Sequence, residues 1–145
     1  MPPQSPPLAE LAPGLFAAGA LDRHDIAALA AQGVRTIVNN RPDGEDAGQL
    51  SAAEARALAE ALGIAYHHIP VTGPSLSAAD VDAFAALLAA GAQPIVAHCR
   101  SGTRSTLLWA LARLRDGADP ADLIATAARY GIDIAALPII AARLG

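Results

Sequence analysis

Four short runs of strand character recur along the chain, and each is separated from the next by a segment with helix start and stop signals. Leu15-Phe16-Ala17-Ala18-Gly19 reads as a short edge strand, and the β-branched Val34–Asn39 as a buried one. Ile64–Ile69 and Pro94–His98 are the other two. Asp22-Arg23-His24-Asp25 opens a helix with Ile26 and Leu29 as core positions and Gly33 as its stop. Ser51-Ala52-Ala53-Glu54 is a capping-box sequence for a helix closed by Gly63, and Ser77–Asp80 caps one that runs to about Ala90. Strands that alternate with helices pair in parallel, because a parallel neighbour is reached only by a long crossover. The pattern therefore predicts an α/β fold, a mostly parallel central sheet flanked by helices. Further helices are expected to about Arg115, from Asp119-Pro120 to near Tyr130, and over Asp133–Leu144, the last broken or kinked by Pro138.

A chain of 145 residues with 53% hydrophobic and 17% charged residues suits one domain with a full core. Residues 1–10 are Pro-rich and read as an extended or disordered lead-in, which leaves 11–145 as a single catalytic domain. The net charge of −4 makes neither nucleic acid nor an anionic membrane an expected partner. The single cysteine excludes an intrachain disulfide and a multi-cysteine metal site, and a free thiol fits a reducing compartment. The first residues carry neither a basic nor an apolar signal region, so the expected location is cytoplasmic.

Function concentrates in Ile95-Val96-Ala97-His98-Cys99-Arg100-Ser101-Gly102-Thr103-Arg104-Ser105. A β-branched run ends at Cys99, a compact loop with two arginines and a glycine follows, and a helical pattern begins at Ser105. Strand, tight loop and helix N-terminus make an anion cradle of backbone N–H groups and helix dipole. A thiol in such a place is favoured as its anion, the nucleophilic form. An inert core cysteine would not explain the arginines. Ligands of parallel α/β sheets bind beyond the carboxyl ends of the strands. The Asn39–Asp46 loop, the Pro70–Leu76 loop and the Cys99 loop should thus surround one crevice, with Arg41 adding charge for substrate. His67 and His68 alternate in direction along a strand, and they form no metal-ligand spacing with His98 and Cys99. No metal and no cofactor is expected. Leu108 and Trp109 read as core.

The stretch His98–Ser105 resembles the phosphate-binding signature of cysteine-based protein phosphatases. Val38-Asn39-Asn40-Arg41-Pro42-Asp43-Gly44-Glu45 and Tyr66-His67-His68-Ile69-Pro70-Val71 resemble the bacterial dual-specificity-like branch, related to the phosphatase-like domain of β-lactamase hydrolase-like proteins (DUF442 type). The resemblance runs from about Leu11 to the end of the Trp109 helix and implies a cysteine-phosphatase-like three-layer sandwich. It implies Cys99 as nucleophile, Arg104 as oxyanion clamp, and the amides of Arg100, Ser101, Gly102, Thr103 and Arg104 as the cradle. Ser105 would hydrogen-bond the sulfur, and His98 would brace the loop.

Two departures stand out. Four residues separate Cys99 from Arg104, where the phosphatase signature has five; four is the pattern of rhodanese-like sulfurtransferases. The stretch Val71-Thr72-Gly73-Pro74-Ser75, where the family carries its aspartate general acid, has no acid, so Asp43, or less readily Glu45, is the candidate substitute. The resulting expectation is a cysteine-dependent phosphatase working through a phosphocysteine at the His98–Ser105 loop. A sulfurtransferase carrying sulfane sulfur as a Cys99 persulfide is the alternative, and a non-catalytic phosphate- or sulfate-binding module is a further one. The partner would be a phosphorylated or sulfur-bearing small anion or protein.

Overall fold

A computed structural model describes residues 5–145. The strands are β1 (Ala9–Ala12), β2 (Leu15–Ala18), β3 (Thr36–Asn39), β4 (Ala65–His68) and β5 (Ile95–His98). The helices are α1 (Arg23–Ala31), α2 (Ala52–Ala61), α3 (Ala78–Ala90), α4 (Thr103–Arg115), α5 (Pro120–Ala128) and α6 (Leu137–Leu144). They build one mixed sheet of order β1-β2-β5-β3-β4, parallel except for the antiparallel β1.

Period-2 alternation divides the central strands between two cores. Ile37 and Val96 face Leu29, Ala55 and Tyr66 on the α1–α2 side, while Val38 and Ala97 face Phe84, Leu108 and Trp109 on the other. Every residue of β3 and β5 is buried, which is why these two strands read as β-branched runs rather than as alternating patterns. Leu108 and Trp109 take the core places expected of them.

Register, more than packing, positions the site. Ala18 and Asn39 both lie opposite His98, and Asn39 lies opposite His68, so β2, β5, β3 and β4 end in one row. The loops after β3, β4 and β5 leave from that row and meet beyond it.

Several boundaries differ from the sequence reading, each for a local reason. Residues 1–4 of the lead-in lie outside the described residues; of the remainder, Ala9 and Glu10 already belong to β1. That hairpin partner moves β2 from the edge to the second place in the sheet. Pro138 stands in the first turn of α6 and starts the helix rather than breaking it, since an N–H is not needed there. The cysteine-loop helix begins at Thr103, not Ser105, so Arg104 lies on its first turn.

Candidate active site

The loop from Cys99 to Gly102 is tied down on both sides. Cys99 N–H donates to Ala18 O at 3.3 Å, and Ala20 N–H donates to Arg100 O at 3.1 Å, so β2 fixes the loop where it leaves β5. A side chain at Gly19 would meet Arg100 O at 3.2 Å, which keeps that approach close. Gly102 has φ +94°, a conformation open to glycine at little cost. The turn it makes aims its N–H at Cys99 Sγ, 3.1 Å away, an interaction that a thiolate accepts better than a thiol. Thr106 Oγ1 donates to Gly102 O at 2.7 Å and holds the turn from the helix side. The first turn of α4 has no side-chain cap and no acidic residue, which leaves its N–H groups and dipole favourable to negative charge beside Cys99. Cys99 has no exposed surface.

Arg104 does not stand alone. Its Nη1 donates to Glu45 Oε2 at 2.7 Å and to Val71 O at 2.8 Å, and its Nη2 donates to Glu45 Oε1 at 2.9 Å. Arg41 holds the same carboxylate through Nε at 3.0 Å and pairs with Asp46 through Nη2. Asp46 also pairs with Arg100 Nε at 3.1 Å. Three arginines and two carboxylates thus form one chain of ion pairs around the cysteine loop. The Arg104 hydrogen bond, against some burial and with Arg41 helping, holds the Glu45 carboxyl below the ordinary glutamate range. The same bond, opposed by burial and aided by the Cys99 charge, raises Arg104 above the usual arginine value.

Asn40, fully buried, joins the three loops. Its Nδ2 donates to Ile69 O at 3.0 Å, its Oδ1 accepts from Ser105 Oγ at 2.8 Å, and its backbone N–H donates to His98 O at 2.7 Å. Replacing Asn40 by leucine leaves the buried Ser105 hydroxyl and Ile69 carbonyl unpaired. The expected cost is about 2 kcal/mol, read as a shift of the chemical-denaturation midpoint. Ser105→Ala, which removes only one donor, should cost about half as much.

Some sequence-derived roles change. Ser105 was expected at the sulfur, but its hydroxyl donates to Asn40, and its contribution is to the loop junction. Asp43 was expected as the acid, but its Oδ1 accepts from Ala52 N–H at 2.8 Å at the start of α2. A turn residue nine positions before a helix becomes a second cap beside Ser51, and only the folded loop reveals it. Glu45 comes to the cradle in its place. Arg41 is buried and committed to Glu45 and Asp46 rather than presented to substrate. Asp46 is a further member of the site, and its one signal in the sequence is the spacing of acids four and five positions after Arg41. Ser101 and Thr103 share a hydroxyl contact of 3.2 Å at the loop surface. His98 is buried beneath the row of strand ends with Nδ1 unpartnered, and burial, with Arg41 and His68 adding to it, lowers its pKa to about 4. It is neutral at pH 7. His68 Nε2 donates to Arg41 O at 2.8 Å, a structural task. Among the described residues no group of three or more His, Cys, Asp or Glu could hold a metal ion, and no helix is long and apolar enough to cross a membrane.

The family described as β-lactamase hydrolase-like protein, phosphatase-like domain, matches residues 8–116. The chain belongs to this family. A β-lactamase hydrolase-like protein of Agrobacterium fabrum is 42% identical over 93 residues, covering 64% of this chain but 22% of that protein. The chain thus spans about a fifth of the length of the curated relatives it matches. A putative phosphatase of Neisseria meningitidis superposes with a TM-score of 0.83 at 30% identity, over 91% of this chain and 94% of that one. Kinase associated phosphatase, 18% identical with a TM-score of 0.74 over 94% of this chain and 93% of that one, shares the fold. The domain is phosphatase-like, and its sheet and helices are those of cysteine phosphatases of the dual-specificity type.

Proposed function

We propose that the site performs covalent transfer on Cys99, and that the group it carries is a sulfane sulfur. The carrying observation is the condition of the carboxyls around the cradle. Arg104 and Arg41 keep Glu45 ionised, and Asp43 is engaged at the start of α2, so no carboxylic acid is poised to protonate a leaving oxygen. Expulsion of an alkoxide from a phosphoester depends on such an acid. Sulfur transfer expels a thiolate or sulfite, which leaves without one. The four-residue span from Cys99 to Arg104 adds to this, because a short loop suits a single sulfur better than a phosphoryl group with three equatorial oxygens.

In the first step the Cys99 thiolate attacks the outer sulfur of R–S–S⁻ and forms a new S–S bond. The old S–S bond breaks, and R–S⁻ departs with its electron pair. Cys99 is left as a persulfide anion held by the Gly102 N–H and the first turn of α4, with Arg104 as counter-charge. In the second step a nucleophile such as cyanide or a thiolate takes the outer sulfur and restores the Cys99 thiolate. Asn40, Ser105 and the neutral His98 keep the three loops in register around that exchange, and Arg41 holds Glu45 on Arg104.

A second reading, phosphoester hydrolysis through a phosphocysteine, draws support from the likeness to cysteine phosphatases and from the family's phosphatase-like description. One experiment separates the two. The purified protein is incubated with an organic persulfide or with an aryl phosphate, its intact mass is measured, and cyanide is then added. A mass gain of one sulfur atom followed by thiocyanate supports sulfur transfer. Phosphate release with no sulfur uptake overturns it in favour of hydrolysis.

A further inference from the structure

On the reading that Cys99 carries sulfane sulfur, we infer that Glu45 and Asp46 set the charge of the donor, and that the site is built for neutral or singly charged organic persulfides rather than for dianions such as thiosulfate. The first observation is the charge balance. Arg41, Arg100 and Arg104 bring three positive charges, and Glu45 and Asp46 cancel two of them through direct ion pairs. The remaining positive charge balances a Cys99 thiolate, so a dianion enters a site with no net charge to receive it. A guanidinium has five N–H donors, and Arg104 commits three of them to Glu45 and the Val71 carbonyl. Two donors are left, enough to orient a small group but few for a multiply charged oxyanion. Glu45 is itself fixed by Arg41, so it does not simply swing away.

The second observation lies on the opposite side of the loop. A groove of about 370 Å³ runs along Ser101 and Gly102 and is walled by Pro7, Ala18, Tyr130 and Ile132. Tyr130 stands 44% exposed at its wall, an apolar surface beside the loop that holds the nucleophile. The groove borders Ser101 and Gly102 beside the buried Cys99 and offers an apolar surface for the organic body of R–S–S⁻. Thiosulfate has no such body.

Glu45 acts through Arg104 and is thus a positioning residue that also sets charge preference. The test uses two unreactive oxyanions of equal shape and different charge, sulfate and methanesulfonate, as protectants of Cys99 against alkylation. Methanesulfonate should protect the wild-type protein at about tenfold lower concentration than sulfate. Glu45→Gln should shrink that preference about tenfold, Asp46→Asn should shrink it less, and Glu45→Asp should restore it. In turnover, the thiosulfate-to-persulfide ratio of kcat/KM should rise about tenfold in Glu45→Gln, chiefly through KM for thiosulfate. Equal or stronger protection by sulfate in the wild-type protein overturns the inference, and that arm needs no variant to fold. A ratio unmoved in a folded Glu45→Gln overturns it as well. Failure of every donor to label Cys99 overturns the sulfur-transfer reading itself, a different result from a wrong charge preference.

Discussion

Cys99→Ser is expected to abolish transfer, with sulfur uptake and turnover falling at least about 10³-fold. The serine hydroxyl is nearly isosteric with the thiol and still accepts the Gly102 N–H, which lies 3.1 Å from the sulfur in the native loop. The cradle therefore survives, but a hydroxyl holds its proton near neutral pH and is a poor nucleophile without a base. No base is in place: His98 is neutral but precedes the loop in a buried strand position, and Glu45 is committed to two arginines. Intact-mass labelling reads uptake, and a thermal melt should show a shift of no more than a few degrees. Persistent labelling of the serine variant would place the reactive atom elsewhere and sink both covalent readings together.

Acidification from pH 7 to pH 4 should cost the fold about 3 kcal/mol through His98 alone. The folded protein holds this imidazole neutral down to about pH 4, chiefly because burial disfavours the charged form. The unfolded chain binds a proton at its ordinary value near 6.5. Between these values the unfolded state carries more protons, so its population rises as pH falls. The stabilisation is complete above about pH 6.5 and is lost on the way to pH 4. Glu45 acts lower on the scale: its folded carboxyl is depressed, so its contribution is present above the ordinary glutamate range and fades as pH falls below it. Denaturation midpoints at pH 7, 5.5 and 4.5 measure the slope, and His98→Gln should flatten it in the upper window. Equal midpoints for the wild-type protein at pH 7 and pH 4.5 would rule out a neutral buried His98.

Much of the fold was legible because its signals are local. Asp22 and Ser77 form reciprocal capping boxes with Asp25 and Asp80, and four of the five strands lie where β-branched or apolar runs end in turn residues. β1 carries no such signal, because Ala9–Ala12 is short and bears no β-branched residue, and its pairing with β2 comes from the hairpin geometry. The start of α4 at Thr103 has no capping signal in the sequence, because its N-cap is a left-handed glycine rather than a capping side chain.

The site divides in the same way. Sequence alone singled out the candidate nucleophile, the arginine five residues beyond it and the helix that follows, since all three lie within one contiguous stretch whose loop geometry is dictated locally. It also established that the loop between β4 and α3 carries no acid. Only the tertiary structure decided which carboxylate of the Asn40–Asp46 loop reaches the cradle. Asp43 is the readier candidate in a polar turn and Glu45 the next, and within the seven residues only the spacing of Glu45 and Asp46 from Arg41 points the other way. The choice was made by partners far along the chain or outside the turn: Arg104, 59 residues from Glu45, Arg100 for Asp46, and the amide of Ala52 for Asp43. Ion pairs and caps of that kind form only when strands of the right register bring their loops to one edge of the sheet, and register is a property of the assembled core.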